Sequence, residues 1–129
     1  MFFRYKEDIV GGLEEINQVV RYIVEKTEYM IDDEDISFNL RLILNELLIN
    51  AYEHGNKEDK DKTLNLDLVI NDIELKLKVK DQGDGIYEKD YHYNCKDLLN
   101  HGRGLQLVSK LSDCFYVEKN IVRCILYIK

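Results

Sequence analysis

"TLNLDLVINDIELKLKVK", residues 63–80, alternates apolar and polar side chains through both of its halves. A period of two is typical of a strand with one buried face and one solvated face. The alternation pauses at Asn71–Asp72, a residue pair that favours a turn. The apolar positions form two sets, one on either side of this turn: Leu64, Leu66, Leu68 and Ile70, then Ile73, Leu75, Leu77 and Val79. The stretch therefore predicts an antiparallel hairpin with one face on a core.

Two helices are predicted before this hairpin, after a short edge strand at "MFFRYK". From about Asp8 to Tyr29, apolar residues recur every three or four positions, which indicates an amphipathic helix. A second helix is predicted to open at the acidic run "DDED", residues 32–35, because carboxylates suit the positive end of the helix dipole. It is predicted to end at the glycine stop 54–56.

A long loop, a short helix and a second hairpin are predicted after residue 80. The loop is "YEKDYHYNCKDLLNH", residues 87–101, which has no sustained period, and the helix is "GLQLVSKLS", residues 104–112. The hairpin turns at Lys119–Asn120, which places Cys114 opposite Ile125 and Cys124 opposite Phe115. Since these thiols then point to opposite faces, the register argues against a disulfide between them.

The order of predicted elements is strand, two helices, hairpin, loop, helix and hairpin. Strands with a single apolar face need cover on one side only. The sequence thus predicts an α+β fold, a two-layer sandwich whose mixed, mainly antiparallel sheet is covered on one face by helices. We expect a single domain over residues 1–129.

Composition narrows the class of protein. Hydrophobic residues make up 45% of the chain, too many for a disordered protein. No apolar run approaches the ~20 residues that cross a bilayer, and no secretory signal is present, so we expect a soluble cytoplasmic protein without a membrane partner. A net charge of −7 argues against direct nucleic-acid binding. Three cysteines without a C-x-x-C pair fit reduced thiols.

The second helix carries the first candidate motif, Glu46 and Asn50. Residues four apart lie one above the other on a helix face, and this face adjoins the apolar stripe. A carboxylate and an amide at the edge of a core need partners or a function. An ordinary i,i+4 hydrogen bond between them is the structural alternative.

The second motif is "DQGDGI", residues 81–86, directly after the predicted strand. Glycine allows close approach to the backbone, so Gly83 and Gly85 could form the floor of a pocket towards which Asp81 points. A plain turn is the alternative, because Asp-x-Gly sequences are common turn formers.

The third motif is "NHGRGLQLVSKLS", residues 100–112. Gly102 and Gly104 precede a helix start, where free N–H groups and the dipole favour phosphate, and His101 and Arg103 could add positive charge. The alternative is a flexible loop before a helix.

In the order Glu-x-x-x-Asn-Ala-x-x-His-Gly, Asp-x-Gly-x-Gly and Gly-x-Gly-Leu, the three motifs resemble those of the GHKL (Bergerat-fold) ATPase superfamily. This superfamily includes the ATP-binding domains of gyrase, chaperones and histidine kinases. "NELLINAYEHGN" and "HGRGLQLVSKLSD" look most like the bacterial anti-sigma-factor serine/threonine kinases. The resemblance covers essentially the whole chain, and five of the 7 glycines fall in the motifs.

The resemblance implies a role for each matching residue. Glu46 matches the general base, Asn50 the Mg²⁺ ligand beside the nucleotide phosphates, and Asp81 the acceptor for the adenine amino group. The adenine side would also include Gly83, Gly85 and Ile86. The phosphate side would include Gly102, Arg103, Gly104 and Leu105, and residues 87–101 correspond to the ATP lid.

A regulatory kinase is the function that the resemblance implies, with ATP and Mg²⁺ as cofactors. Its partners would be a sigma factor and a small STAS-type antagonist, which it would phosphorylate on serine or threonine. The alternative is a non-catalytic module for which ATP or ADP is a conformational ligand. Relatives often dimerise through the sheet, so a homodimer using the "MFFRYK" edge is a further expectation.

Overall fold

The computed structural model describes residues 1–83, the backbone of residues 91–94, and residues 105–128. One strand and two helices are followed by three strands, a third helix and two strands. The strands are β1 (Phe2–Val10), β2 (Thr63–Asn71), β3 (Glu74–Lys80), β4 (Tyr91–Asn94), β5 (Cys114–Glu118) and β6 (Ile121–Tyr127). The helices are α1 (Leu13–Met30), α2 (Glu34–Asn50), which continues as a π-helical turn (Ala51–Gly55), and α3 (Leu105–Leu111).

The described strands form one six-stranded sheet in the order β1-β2-β3-β6-β5-β4, and all of its pairings are antiparallel. The two-layer α+β sandwich is therefore confirmed, with a sheet that is antiparallel throughout the described residues rather than mixed. In the described part of the chain, no helix has the length and apolar character needed to span a membrane.

The β2–β3 hairpin has the predicted faces, with its turn one residue later than predicted. Ile70 pairs with Leu75, so the turn residues are Asp72 and Ile73. Asn71 sets this position because its Oδ1 accepts the backbone N–H groups of Ile73 at 2.8 Å and Glu74 at 2.9 Å. Ile73 is consequently 67% exposed and does not share the buried face, contrary to the prediction.

The core lies between the helices and one face of the sheet. Leu66 on β2 pairs with Val79 on β3, which pairs with Val122 on β6, which pairs with Val117 on β5, and all four side chains are buried. Helix α2 contributes the largest buried stripe on the other layer: Leu40, Ile43, Leu44, Leu47 and Leu48. At ~1.5–3 kcal/mol per fully buried large aliphatic side chain, this contact is the main source of stability.

Helix α1 begins at Leu13, five residues later than the predicted start. Strand β1 continues to Val10, and Ile9 pairs with Leu64 as a buried strand residue. Gly11 then turns the chain with φ +124°, a conformation that favours glycine. The backbone N–H of Gly12 donates to Glu15 Oε1 at 2.7 Å, which caps the helix start and holds the pKa of Glu15 below its usual value.

Helix α2 begins at the acidic run, as predicted from the sequence. The Asp33 side chain caps it by accepting the N–H groups of Asp35 at 3.0 Å and Ile36 at 3.3 Å. The helix ends at Asn50 and widens into the π-helical turn, which closes at Gly55. Turns of this type are frequent at functional sites.

The C-terminal hairpin has the predicted register, with Cys114 opposite Ile125 and Phe115 opposite Cys124. Both cysteines are free. The prediction of a loop over residues 87–101 was wrong at β4, whose backbone pairs with β5. The remaining predictions for residues 84–90 and 95–104 lie outside the described residues.

Candidate functional site

Asn50 is a buried amide at the end of α2. Its residue is 8% exposed, and its Nδ2 has no hydrogen-bond partner in the described part of the chain. Glu46, one turn earlier, is half-buried. Because Nδ2 does not donate to Glu46, the purely structural i,i+4 hydrogen bond is not formed. Leaving a buried amide donor unpaired costs about 1–3 kcal/mol, which a ligand bound at Asn50 would recover.

Asp81 follows the last residue of β3 and is 3% exposed. Its Oδ1 accepts the Gly83 N–H at 2.7 Å, a short Asx turn that fixes the carboxylate. The Asp81 backbone is held from both sides by Asn120, whose C=O accepts the Asp81 N–H at 3.1 Å and whose Nδ2 donates to the Asp81 C=O at 2.6 Å. The carboxylate is therefore a buried, oriented acceptor.

The end of the π-helical turn packs directly against this carboxylate. A Cβ atom at Gly55 would lie 2.2 Å from Asp81 Oδ2, and a Cβ atom at Gly83 would lie 2.3 Å from the Gly55 carbonyl oxygen. Real Cβ atoms do not approach so closely, so both positions require glycine. This contact joins the first motif to the second and gives Gly83 a packing role of its own.

Asn56 connects the π-helical turn to the same Asp81–Gly83 segment through hydrogen bonds, and it is 1% exposed. Its Oδ1 accepts the Gln82 N–H at 2.7 Å, and its Nδ2 donates to the Thr63 C=O at 3.2 Å. The Gln82 side chain accepts the Thr63 N–H in return. The end of α2, the start of β2 and the glycine step are thus one hydrogen-bonded unit.

A small cavity lies where these elements meet the start of α3. Its polar lining comes from Asn50, Asp81 and Asn120, and Leu105 closes it from α3. The remaining walls are apolar: Leu47, Ala51, Val79 and Val122. The cavity volume is about 10 Å³, room for roughly one water molecule.

The structure thus brings together three of the predicted site residues, Asn50, Asp81 and Leu105, from three separate elements. Glu46 lies on the same helix, one turn before Asn50, and does not line the cavity. Gly83 packs against the Gly55 carbonyl and does not line the cavity. The five remaining predicted residues, Gly85, Ile86, Gly102, Arg103 and Gly104, lie outside the described residues.

Sequence reasoning missed Asn56 and Asn120. The sequence predicts Asn56 only as part of the glycine stop of α2 and Asn120 only as a hairpin-turn residue. The sequence signal that could have pointed to Asn56 is its position directly after Gly55 of the first motif, where a polar side chain can hydrogen-bond to the neighbouring backbone. The partners of Asn120 depend on pairing between β3 and β6, which no local pattern reveals.

A comparison with protein-family models matches residues 11–126 to the histidine kinase-like ATPase domain. The matched range covers far more than half of the 129-residue chain. The chain belongs to this family. A separate comparison with curated proteins found no match.

Membership among the histidine kinase-like ATPase domains supports an ATP-binding role and an ATPase- or kinase-like activity. The residues present fit ATP and Mg²⁺. The Asn50 side chain is buried, and its Oδ1 is a hard ligand that would hold Mg²⁺, while its Nδ2, which has no partner among the described residues, could donate to a nucleotide oxygen. Asp81 would accept a hydrogen bond from the adenine amino group. The bound ion would supply positive charge to the nucleotide phosphates.

For this histidine kinase-like ATPase domain, the cavity of about 10 Å³ marks the place where the polar side chains of Asn50 and Asp81 converge and is too small to hold a nucleotide by itself.

Proposed function

We propose that this chain is an ATP-binding regulatory serine/threonine kinase of the anti-sigma-factor type. It would bind a sigma factor and phosphorylate a small STAS-type antagonist protein in the cytoplasm. The observation that carries the proposal is the buried Asn50 side chain, whose Nδ2 has no partner among the described residues, in a cavity shared with the Asp81 carboxylate. The two residues supply a candidate metal ligand and a base-specific acceptor from two separate elements.

Glu46 is the residue to which we assign proton acceptance. It is half-buried, so its carboxylate keeps access to a hydroxyl of a docked protein. In the proposed transfer, the serine or threonine oxygen bonds to the γ-phosphorus of ATP, the bond to the β,γ-bridging oxygen breaks, and Glu46 takes the hydroxyl proton. ADP is the leaving group.

The test is incubation with γ-labelled ATP and candidate STAS-type proteins, beginning with any that is encoded beside this chain. We expect label on serine or threonine, and we expect Glu46→Ala to retain ATP affinity and lose about 10²–10⁴-fold in transfer rate. Glu53→Ala, an exposed glutamate on the π-helical turn, is the matched control and should transfer at the normal rate. Undiminished transfer by Glu46→Ala would remove Glu46 as the base.

A non-catalytic ATP- or ADP-binding module is the second candidate. The observation that favours it is the family match itself, which supports ATP binding, and ATP could then act purely as a conformational ligand. Tight ATP binding without labelled serine or threonine would establish this candidate and sink the kinase.

Homodimerisation along the outer edge of β1 stays a prediction. β1 is an edge strand, and Phe2 near its start is 71% exposed. An exposed strand edge is a ready template for a second chain. Sedimentation of the wild-type protein and of Phe2→Lys should show a dimer that the substitution weakens. A wild-type monomer at all concentrations would contradict the proposal.

A further inference from the structure

A pocket of about 400 Å³ lies between the end of α1 and the start of α2. Four carboxylates line it, against the single guanidinium of Arg41. The carboxylates are those of Glu28, Asp32, Asp33 and Glu34. We call this site the acidic pocket. It is separate from the candidate nucleotide site, because Ser37, which also lines it, and Asn50 lie about 20 Å apart along α2.

The negative charge of the acidic pocket is not neutralised by direct contacts. Within the described residues, none of its four carboxylates forms an ion pair, and neither does Arg41. Asp33 Oδ1 accepts two backbone N–H groups of α2, which offsets the positive end of that helix. Helix α1 ends at the pocket without a basic residue in its last turn, so its carbonyl end adds negative potential. The acidic pocket therefore favours a cation.

Ser37 gives the acidic pocket a polar group that the fold itself does not use. The residue is 7% exposed, and its Oγ has no hydrogen-bond partner among the residues that the structure describes. A helical serine commonly donates to the carbonyl four residues earlier, as Ser112 does to Val108 at 2.7 Å. Because a buried hydroxyl without a partner is unfavourable, a ligand that bonds to Ser37 would gain affinity.

Apolar side chains complete the lining of the acidic pocket. Val24 and Ile31 are buried, whereas Phe38 is 62% exposed. An exposed aromatic ring beside carboxylates suits a cation on an aliphatic stem, since the stem packs on apolar side chains and the charge lies over the ring. Long basic side chains have this combination of parts.

A metal ion fits this arrangement poorly. In the described part of the chain, no three His, Cys, Asp or Glu side chains form a group that could hold a metal. The negative charge of the acidic pocket is thus spread over separate carboxylates. An arginine side chain matches this spread, because its planar guanidinium has five N–H donors in a fixed fork and stacks on aromatic rings.

We propose that the acidic pocket binds an arginine side chain of a basic protein segment. The guanidinium would lie over Phe38 and donate to the carboxylates around it, and Ser37 Oγ would accept one further hydrogen bond. The net charge of −7 attracts the same segment, so the local charge and the overall charge agree. Nucleic acids and anionic membranes are repelled by both. The inference does not depend on nucleotide binding.

The test is an NMR titration of the full chain, without nucleotide, with the synthetic peptide Gly-Ser-Arg-Gly-Arg-Ser-Gly. We expect amide shifts over residues 28–41, and we expect added salt to weaken the binding. The same peptide with citrulline in place of arginine keeps the shape of the side chain and removes its charge. It should bind at least about tenfold more weakly.

A triple variant tests the carboxylates of the acidic pocket. Glu28→Gln, Asp32→Asn, Glu34→Gln removes three charges and leaves the Asp33 cap of α2 in place. Because the guanidinium loses its acceptors of opposite charge, we expect the arginine peptide to bind about tenfold more weakly or worse.

The matched control is Glu25→Gln, Glu53→Gln, Asp61→Asn, which removes three charges at exposed positions outside the acidic pocket. It changes the net charge equally and should bind the arginine peptide within about threefold of wild type. Both triple variants should keep the wild-type circular dichroism spectrum, since their changes are at exposed side chains.

Ser37→Ala isolates the buried hydroxyl. Since Oγ has no partner among the described residues, the melting temperature of the variant should not fall below that of wild type. Binding of the arginine peptide should weaken about tenfold, because the ligand loses a hydrogen bond to a charged donor. A purely structural serine would give the opposite pattern, a lower melting temperature with unchanged peptide binding.

The proposal would be overturned by peptide shifts that fall outside residues 28–41 or by equal losses of affinity in the two triple variants. Unchanged peptide binding by Ser37→Ala would also contradict it. Two other occupants are tested in the same titration. Tighter binding of spermidine than of the arginine peptide, or shifts over residues 28–41 that appear on concentrating the chain alone, would replace the protein segment by a small cation or a second copy.

Discussion

The Asp81 carboxylate is held by contacts that leave little freedom to the residues around it. The Gly55 backbone packs against Asp81 Oδ2, and the Gly83 N–H donates to Asp81 Oδ1. The Asn120 side chain donates a hydrogen bond to the Asp81 main-chain carbonyl. An acceptor fixed in this way loses little entropy on binding a ligand, which is how a single carboxylate can discriminate between bases.

Gly55→Ala tests the glycine contact. Its new Cβ would lie 2.2 Å from Asp81 Oδ2, so the carboxylate must move. We expect a loss of about 1–3 kcal/mol in the free energy of unfolding, together with weaker ATP binding. Gly12→Ala is the control, because its nearest neighbour is the flexible end of Lys60 at 3.3 Å, and it should cost about 1 kcal/mol or less. Urea denaturation measures both, and equal losses would contradict the packing argument.

Asn56→Ala tests the junction between α2, β2 and the glycine step. The change leaves the Gln82 N–H and the Thr63 C=O without their side-chain partner, so we expect a loss of about 1–3 kcal/mol in unfolding free energy. Asn65→Ala removes an exposed hydrogen bond to Asp8 and should cost about 0.5 kcal/mol or less. Thermal denaturation of both variants measures these losses. An Asn56→Ala variant as stable as the wild type would refute the role assigned to Asn56.

The sequence could predict those site residues that belong to a recognisable motif. Asn50, Asp81 and Leu105 were singled out, and the structure brings them to one cavity. Asn56 and Asn120 could not be assigned, because their partners lie 26 and 39 residues away and meet them only after the sheet has formed.

In the C-terminal hairpin, the turn determines how the two strands pair and which side chains face the core. Lys119 has φ +53°, and the two-residue turn that it opens fixes the register of β5 against β6. Cys124 consequently faces the core, where burial raises the pKa of its thiol to about 12, while Cys114 is partly exposed on the face of the sheet away from the helices.

This register predicts the reactivity of the two thiols. Since the thiolate is the reactive form, iodoacetamide at mildly alkaline pH should modify Cys114 in the native protein and leave Cys124 unmodified. In urea, both should react at similar rates, which is the internal control. Peptide mass spectrometry resolves the two sites. Rapid native modification of Cys124 would show that the register or the burial is wrong.

Element boundaries were harder to predict than element types. The helical period of α1 includes Ile9, which the structure places in β1, because an apolar residue before Gly11 fits either element. Strand β4 was missed because four residues with mixed polarity carry no period of their own and depend on pairing with β5.

In the whole molecule, the helix layer and the sheet each contribute residues to the candidate site. The helices cover the core and bring Glu46, Asn50 and Leu105 to one end of the sheet, and β3 delivers Asp81 there. Among the described residues, the helices pack on one face of the sheet only, the face that carries the buried strand side chains. Alternating apolar residues predicted the two layers, because a strand with one apolar face needs one cover.

The central claim is that this fold builds an adenine-specific ATP site at Asp81. Isothermal titration calorimetry of the wild type and of Asp81→Asn, each with Mg-ATP and Mg-GTP, tests it most directly. We predict that the wild type prefers ATP, and that the variant binds ATP about tenfold to a hundredfold more weakly with the preference for ATP over GTP lost, since a hydrogen bond to a charged acceptor contributes about 1.5–3 kcal/mol. Wild-type ATP affinity and an intact preference in Asp81→Asn would contradict the account.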